Sequence, residues 1–340
     1  MSKLFREITP KERALYYQKE WVIHQVPKFL RSTLSLREWA FDPKGEGITD
    51  RKNKFTDLRD LEDYIKTLAP YGAYTSTALY TTPQKLEGWL GAELVFDIDA
   101  KDLPLKRCNH ELGKVCPICL EDGKEVAINL LGILREEIGL KKTVIVYSGR
   151  GFHIRALDKW IRDLGDKERA QLLDYLLGNI SLSYPIPHPV WKIIISWLEF
   201  YLSRASYETL KEVGIKKYTK MKAEAPRIIE YLRNSTKPKG FGKEQIWALL
   251  KDSINQTQKL VDRKVTVDVK RVIRLPSSIH SKVGLRVTLV GHSEEDLKKF
   301  NPLFHAVPKF RKEEVMEAYE KWLEEKEGGK DGGCVEKFGL

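Results

Sequence analysis

The sequence has few cysteines and methionines and no long apolar run. It contains 4 Cys and 3 Met beside a heavy load of lysine and glutamate, which is compatible with a heat-adapted organism. No apolar run approaches the roughly 20 residues of a membrane helix, so a membrane-spanning protein is not expected. Residues 1–6 lack the apolar stretch of a signal peptide, which argues against secretion. We therefore expect a cytoplasmic, globular protein.

The chain has an excess of positive charge. Its 59 Lys and Arg exceed its 48 Asp and Glu, which gives a formal net charge of +11. Such an excess of positive charge favours a polyanionic partner, and nucleic acid is the first candidate. The alternative is a basic surface without a specific partner. A length of 340 residues allows two domains, or one domain with an insertion.

Residues 94–100 read as a β-strand that starts as an apolar run at Leu94 and contains two aspartates. Because side chains alternate along a strand, Asp97 and Asp99 project to the same face, roughly 6–7 Å apart, while Phe96 and Ile98 point into a core. Neighbouring carboxylates repel each other unless a cation lies between them. Hard divalent ions such as Mg²⁺ suit this site, and a pair of them supports phosphoryl displacement. The alternative is a solvated pair on an exposed sheet face.

Four candidate zinc ligands lie within twelve residues: Cys108, His110, Cys116 and Cys119. Together they satisfy tetrahedral Zn²⁺. Because four protein ligands leave no open position, we expect the metal to be structural. A disulfide is the alternative, but thiols stay reduced inside cells.

A glycine-rich turn between two predicted strands contains Ser148, Gly149 and Arg150. His153 lies just beyond this turn, in the second strand. Glycine lets the backbone turn sharply and expose N–H groups to an anion. Arg150 offers a planar fork to phosphate. The pattern indicates a phosphate-binding turn, with a solvated basic hairpin as the alternative.

A second basic cluster, residues 274–282, contains Arg274, His280 and Lys282 around a Pro-Ser turn. These side chains also suit phosphate oxygens, or they are ordinary surface charges. Asp262 and Asp268 lie just upstream and could supply a third carboxylate. The sequence contains no P-loop pattern, which argues against an ordinary NTPase.

Strands and helices alternate through the first half of the chain, which predicts a mixed α/β fold. After a proline-rich linker, the pattern is helical over 191–260, with breaks at Gly214, Pro226 and 237–240. We therefore predict an α/β domain over 1–186 and 261–340 and a small helical domain over 190–260.

Three local predictions concern segments near these motifs. A capping box at Thr9 begins a helix over 10–23 that packs through Leu15, Tyr16 and Val22. Helical spacing predicts a helix over 126–138, and β character returns over 265–273.

The ensemble of motifs resembles one family, the archaeal and eukaryotic DNA primase catalytic (small) subunit. Residues 94–99 resemble its metal-binding strand. Residues 147–153 resemble its nucleotide-binding turn, although the eukaryotic form usually has two arginines where this chain has Arg150-Gly151. Residues 37–41, the cysteine loop and Pro276-x-Ser278-x-His280 match as well. The likeness runs from about residue 10 to 300, and the short zinc loop and helical insertion resemble archaeal members.

The resemblance implies an activity, cofactors and partners. It implies a primase that starts RNA or DNA primers on single-stranded DNA from NTPs or dNTPs at the archaeal replication fork, with a large iron–sulfur subunit as partner. It implies Mg²⁺ or Mn²⁺ on Asp97, Asp99 and Asp262, with Asp268 as the fallback for the third ligand, and Zn²⁺ on the cysteine loop. The implied nucleotide contacts are Ser148, Gly149, Arg150, His153, Arg274, His280 and Lys282. Two rivals remain: a related polymerase of end extension or repair, and a non-catalytic zinc protein that binds nucleic acid.

Overall fold

The structure is a computed structural model that describes residues 3–108, 114–179, 188–214, 218–234 and 243–328. Its strands are β1 (Trp39–Asp42), β2 (Asp50–Asn53), β3 (Gly72–Ser76), β4 (Ala78–Thr82), β5 (Glu87–Ala92), β6 (Leu94–Asp99), β7 (Thr143–Tyr147), β8 (Gly151–Ala156), β9 (Val272–Arg274), β10 (Ile279–His280), β11 (Leu285–Arg286) and β12 (Thr288–Gly291). Its α-helices are α1 (Pro10–Leu15), α2 (Lys28–Arg31), α3 (Leu58–Leu68), α4 (Pro117–Glu136), α5 (Asp166–Leu176), α6 (His188–Arg204), α7 (Tyr207–Glu212), α8 (Tyr218–Arg233), α9 (Lys243–Thr257), α10 (Arg263–Val267), α11 (Glu294–Lys299), α12 (Pro302–His305) and α13 (Lys312–Gly328). The predicted mixed α/β fold is confirmed.

The chain folds into two compact units. The first contains the described residues of Met1–Glu93, Val144–Arg150 and Lys270–Leu340, and the second those of Leu94–Thr143 and Gly151–Val269. These boundaries differ from the predicted ones, and a separate helical domain over 190–260 stays a prediction.

The first unit contains the glycine-rich turn at Ser148 and the basic cluster of residues 274–282, which adjoin antiparallel strands. One sheet has the order β2-β1-β3-β9, and in it Arg274 pairs with Tyr74. The short β10 pairs with β11, which places His280 opposite Leu285. β7, which leads into the turn at Ser148, pairs with β12.

The capping box predicted at Thr9 is confirmed, but the helix that it begins is shorter than expected. The Glu12 N–H donates to Thr9 Oγ1 at 3.2 Å, and the Thr9 N–H donates to Glu12 Oε2 at 2.8 Å. The α-helix ends at Leu15 and continues as a π-helical turn, Tyr16–Glu20. The predicted helix over 10–23 is therefore wrong in its second half.

The π-helical turn places three large aromatic side chains in the core of the first unit. Tyr16, Tyr17 and Trp21 are each at most 1% exposed, whereas Leu15 is 44% and Val22 43% exposed. The predicted packing role is confirmed for Tyr16 and wrong for Leu15 and Val22. The wider turn changes which side chains face inward, because its hydrogen bonds run from residue i to i+5.

The second unit is built on the antiparallel pair β6–β8 and on helices. α4 begins at Pro117 rather than near the predicted 126, because Cys116 caps it and Pro117 occupies a first-turn position where no N–H is needed. Gly123 lets α4 pack closely, since a Cβ at this position would lie 3.1 Å from Ala100 Cβ.

The strand predicted over 265–273 is largely wrong. Residues Arg263–Val267 form α10, and extended pairing begins only at Val272. The Asp262 carboxylate accepts hydrogen bonds from the N–H groups of Lys264 and Val265, at 2.8 and 3.3 Å. This cap gives hydrogen-bond acceptors to the free N–H groups in the first turn of α10. It thereby outweighs the β preference of Val265 and Val267.

Helices α6 to α9 share one apolar cluster in the second unit, to which the buried Leu198 and Leu250 belong. The break predicted at Pro226 is wrong, since α8 continues through this residue. Proline removes one helical hydrogen bond, but Ile228 and Ile229 in the following turn are buried, and this burial stabilises the continued helix. The break predicted at 237–240 lies outside the described residues.

Candidate active site and metal sites

The predicted carboxylate pair lies on the face of β6 that is partly open to solvent. Asp97 and Asp99 are partly exposed, whereas Phe96 and Ile98 are fully buried. The alternation expected for this strand is therefore present, and both carboxylates project from the same face.

Each carboxylate has a basic side chain beside it. His153 of β8 lies directly opposite Asp97, with its Nε2 at 3.3 Å from Asp97 Oδ1. Lys101 Nζ lies 3.1 Å from Asp99 Oδ2 and also contacts Asp102. Burial lowers the pKa of Lys101, but the hydrogen bonds and charges of Asp102 and Asp99 outweigh it and raise that pKa above its usual value.

The donor set fits a hard divalent cation. Two carboxylates on one strand face, both partly open to solvent, supply only oxygen ligands. Lys101 now compensates the charge of Asp99, so a metal ion would compete with its ammonium group for this carboxylate.

The backbone of Asp262 lies beside the Asp97–Asp99 pair. Its N–H donates to the Asp97 carbonyl at 2.9 Å, which holds the start of α10 next to β6. Its carboxylate caps α10, and Asp97, Asp99 and Asp262 do not form a trio with side-chain oxygens within 4.8 Å of one another. To complete a metal site, Asp262 would have to turn out of its cap. Asp268, the fallback, ends α10, and the choice between the two stays a prediction.

The glycine-rich turn lies in the first unit and packs against His280. Gly149 has φ +107°, and a Cβ there would lie 2.5–2.6 Å from three atoms of the His280 side chain. The Tyr147 hydroxyl donates to the Gly149 carbonyl at 2.6 Å. Glycine is thus required at this position by its backbone angle and by its close neighbour.

His280 is a buried imidazole in a cationic environment. Burial lowers its pKa most, and the positive charges of Arg274, Arg150 and Lys282 lower it further, to well below 6.5. The ring is therefore neutral at pH 7. Its buried Nδ1 has no hydrogen-bond partner among the described residues. A neutral donor among three cations suits an anion with several oxygens, such as a polyphosphate.

The structure brings the predicted residues together in two sets. The first unit holds Ser148, Gly149, Arg150, Arg274, His280 and Lys282, and the second holds Asp97, Asp99, Asp262 and His153. His153, predicted to contact the nucleotide, lies beside Asp97. Sequence reasoning missed Lys101, although its position two residues after Asp99 was a usable signal.

Three cysteines form a candidate metal centre in the second unit. The sulfur atoms of Cys108, Cys116 and Cys119 lie within 4.8 Å of one another, and all three are free thiols. The Cys119 N–H donates to Cys116 Sγ at 3.4 Å, and the Cys116 N–H donates to Cys119 Sγ at 3.1 Å. Three converging sulfurs fit zinc. The fourth predicted ligand, His110, lies outside the described residues.

A buried ion cluster adjoins this centre. Asp122, 1% exposed, accepts hydrogen bonds from the Arg107 N–H at 2.8 Å and from Arg107 Nε at 2.6 Å. It also contacts Arg204 at the end of α6, and Arg204 contacts Glu125. The cluster connects the cysteine segment to the helices of the second unit. Within the described ranges, none of the helices has the length and apolar character needed to span a bilayer.

The chain is similar to known proteins over nearly its whole length. The sequence profile of a family described as DNA primase small subunit matches residues 96–291, which include both aspartates of β6 and the basic clusters. The DNA primase small subunit PriS of Thermococcus sibiricus is 46% identical, over 95% of this chain and 99% of the relative. That of Pyrococcus furiosus is 46% identical over 94% and 98%, and that of Methanothermobacter thermautotrophicus 34% identical over 91% and 98%. The resemblance drawn from the motifs is confirmed, and the chain belongs to the DNA primase small subunit family.

Proposed function

We propose that this primase subunit starts RNA or DNA chains de novo on single-stranded DNA. The 3′-hydroxyl of one nucleotide attacks the α-phosphorus of the next, a phosphodiester bond forms, and the bond to pyrophosphate breaks as the hydroxyl loses its proton. The observation that carries the proposal is the Asp97–Asp99 pair, projecting from one face of a paired strand beside the Asp262 backbone.

Asp97 and Asp99, joined by Asp262, would hold the catalytic Mg²⁺ or Mn²⁺. When bound, such ions activate the attacking hydroxyl and stabilise the leaving pyrophosphate. The pairing of β6 with β8 fixes the direction of both carboxylates, and His153 orients Asp97 through its contact at 3.3 Å.

The basic set of the first unit would bind the triphosphate. Arg150, Arg274 and Lys282 supply positive charge, and the glycine turn at Ser148 and Gly149 supplies backbone N–H groups. Neutral His280 can donate a hydrogen bond to a phosphate oxygen without adding charge. Most of the catalysis in phosphoryl transfer is positioning and charge stabilisation, which is what this set offers.

The cysteine centre would hold structural zinc, with His110 as fourth ligand beside Cys108, Cys116 and Cys119. Such a closed site stabilises the segment between β6 and α4 and leaves no position for substrate.

The relatives are named small subunits, which implies a large subunit as partner in a heterodimer. We assign an iron–sulfur cluster to that partner, because only Cys334 lies outside the zinc set in this sequence and a cluster needs several cysteines. The net charge of +11 supports a single-stranded DNA template and binding that weakens with salt. We expect the protein to act in the cytoplasm.

The proposal is tested with unprimed single-stranded DNA, labelled NTPs or dNTPs and Mn²⁺, with the chain alone and with its large subunit. Wild type and Asp60→Asn, an exposed carboxylate on α3, should make primers. Asp97→Ala should reduce synthesis at least about 100-fold while DNA binding and zinc content stay intact. A strict requirement for an existing primer would refute initiation, as expected of an end-extending polymerase. Unchanged synthesis by Asp97→Ala would refute the metal site.

A further inference from the structure

Ser277 has an unusual backbone conformation at the turn that precedes His280. Its φ is +82°, in the left-handed region that favours glycine. The residue is only 9% exposed, and its N–H donates to the Val287 carbonyl at 2.7 Å. A serine keeps such a conformation only where its surroundings enforce it.

Two side chains from the start of the chain bond directly to Ser277. The Tyr16 hydroxyl donates to the Ser277 carbonyl at 2.6 Å, and Trp21 Nε1 donates to Ser277 Oγ at 2.9 Å. We call Tyr16 and Trp21 the Ser277 clamp. Because both of its members are buried in the core of the first unit, they hold the serine against a rigid support.

The π-helical turn explains how both members reach the same residue. The Trp21 N–H donates to the Tyr16 carbonyl at 2.9 Å, so the two residues are bonded across this turn. In a regular α-helix, residues five apart project about 140° away from each other, whereas the wider turn brings them onto one side. π-helical turns occur frequently at functional sites.

The held turn determines where His280 lies. His280 follows Ser277 by three residues and packs against Gly149 with no room for a Cβ between them. We therefore expect a change in the Ser277 backbone to shift the imidazole relative to the glycine-rich turn.

We infer that Tyr16 and Trp21 are positioning residues for nucleotide binding, because they hold the left-handed turn at Ser277 and thereby place His280. This inference rests on the proposed function for the role of His280. The clamp touches no substrate and acts through the turn alone.

Steady-state kinetics on the heterodimer test the clamp. Trp21→Phe should raise the KM for NTP about tenfold, the factor expected from one lost buried hydrogen bond, and change kcat less than about threefold. Trp39→Phe is the matched control, since Trp39 is equally buried in the same cluster and its Nε1 donates to Leu34 instead, at 3.1 Å. It should lower thermal stability but leave KM within about twofold of wild type.

A rescue variant separates positioning from a general loss of structure. Ser277→Gly adopts the left-handed conformation without a clamp, so Trp21→Phe/Ser277→Gly should return KM to within about threefold of wild type. An unchanged KM in Trp21→Phe, or a raised KM that Ser277→Gly leaves as it is, would overturn the inference.

A second readout does not depend on nucleotide. We compare the melting temperatures of Trp21→Phe, Ser277→Gly and the double variant. The change in the double variant should differ from the sum of the two single changes, because glycine at 277 removes the strain that the clamp opposes. Strict additivity would overturn the clamp. Absence of nucleotide binding in wild type would instead refute the proposed function and leave the coupling between positions 21 and 277 to be judged by melting alone.

Discussion

Replacement of Gly149 by alanine tests whether the glycine-rich turn and His280 form one packed unit. The alanine Cβ would lie 2.5–2.6 Å from three atoms of the buried His280 side chain. Real Cβ atoms do not approach other heavy atoms so closely, so the imidazole or the turn must shift. The backbone at φ +107° is also unfavourable for alanine.

The expected cost has two contributions. The left-handed backbone costs alanine about 1–2 kcal/mol, and forcing a methyl group into a packed site costs a further ~1–3 kcal/mol. The matched control is Gly47→Ala in the same unit, where φ is +120° and no atom lies within 4 Å of the added Cβ. The control therefore reports backbone strain alone, about 1–2 kcal/mol.

Urea unfolding and a nucleotide-binding titration measure the two consequences. Gly149→Ala should be less stable than Gly47→Ala by about 1–3 kcal/mol. It should also bind NTP at least about tenfold more weakly, because His280 is displaced, whereas Gly47→Ala should bind as wild type does. Equal stability and equal nucleotide affinity in the two variants would refute the packing argument.

Three further predictions concern the Asp122 ion cluster, the protonation of His280 and the cysteine centre. Arg204→Met should lower the free energy of unfolding by about 3 kcal/mol in urea, because it leaves the buried Asp122 with Arg107 alone; an unchanged value would contradict this. As pH falls below 6.5, the unfolded chain protonates His280 while the folded chain does not, since the folded pKa is lowered. Wild type should therefore lose up to about 1.4 kcal/mol of stability per pH unit relative to His280→Gln, and parallel pH profiles of melting temperature would count against it. Elemental analysis should find about one zinc per chain and a clear loss in Cys119→Ser; a metal-free wild type would rule out the zinc centre.

Features with a short, regular period were predictable from the sequence. Because a strand has a period of two, the alternation of Asp97 and Asp99 with Phe96 and Ile98 is visible in the residues alone. The cysteine cluster was predictable for a similar reason, since ligand type and spacing limit the chemistry to a few metals.

Features set by tertiary contacts were not predictable in this way. The valines around 265–269 favour a strand, but the Asp262 cap decides for a helix there. Tyr16, the first residue of the π-helical turn, bonds to Ser277, which lies more than 250 residues later in the chain. No local pattern reports such a partner, so the clamp and the exposure of Leu15 appear only in the structure.

The central claim is that Asp97 and Asp99 hold the divalent ions of nucleotidyl transfer. The most direct test is a Mn²⁺ titration followed by electron paramagnetic resonance, with a non-hydrolysable NTP present. Wild type and Asp60→Asn should bind Mn²⁺ in this complex. The Asp97→Asn/Asp99→Asn variant should lose that binding, and its unchanged melting temperature serves as the control that it is folded. Undiminished Mn²⁺ binding in the folded double variant would contradict the account.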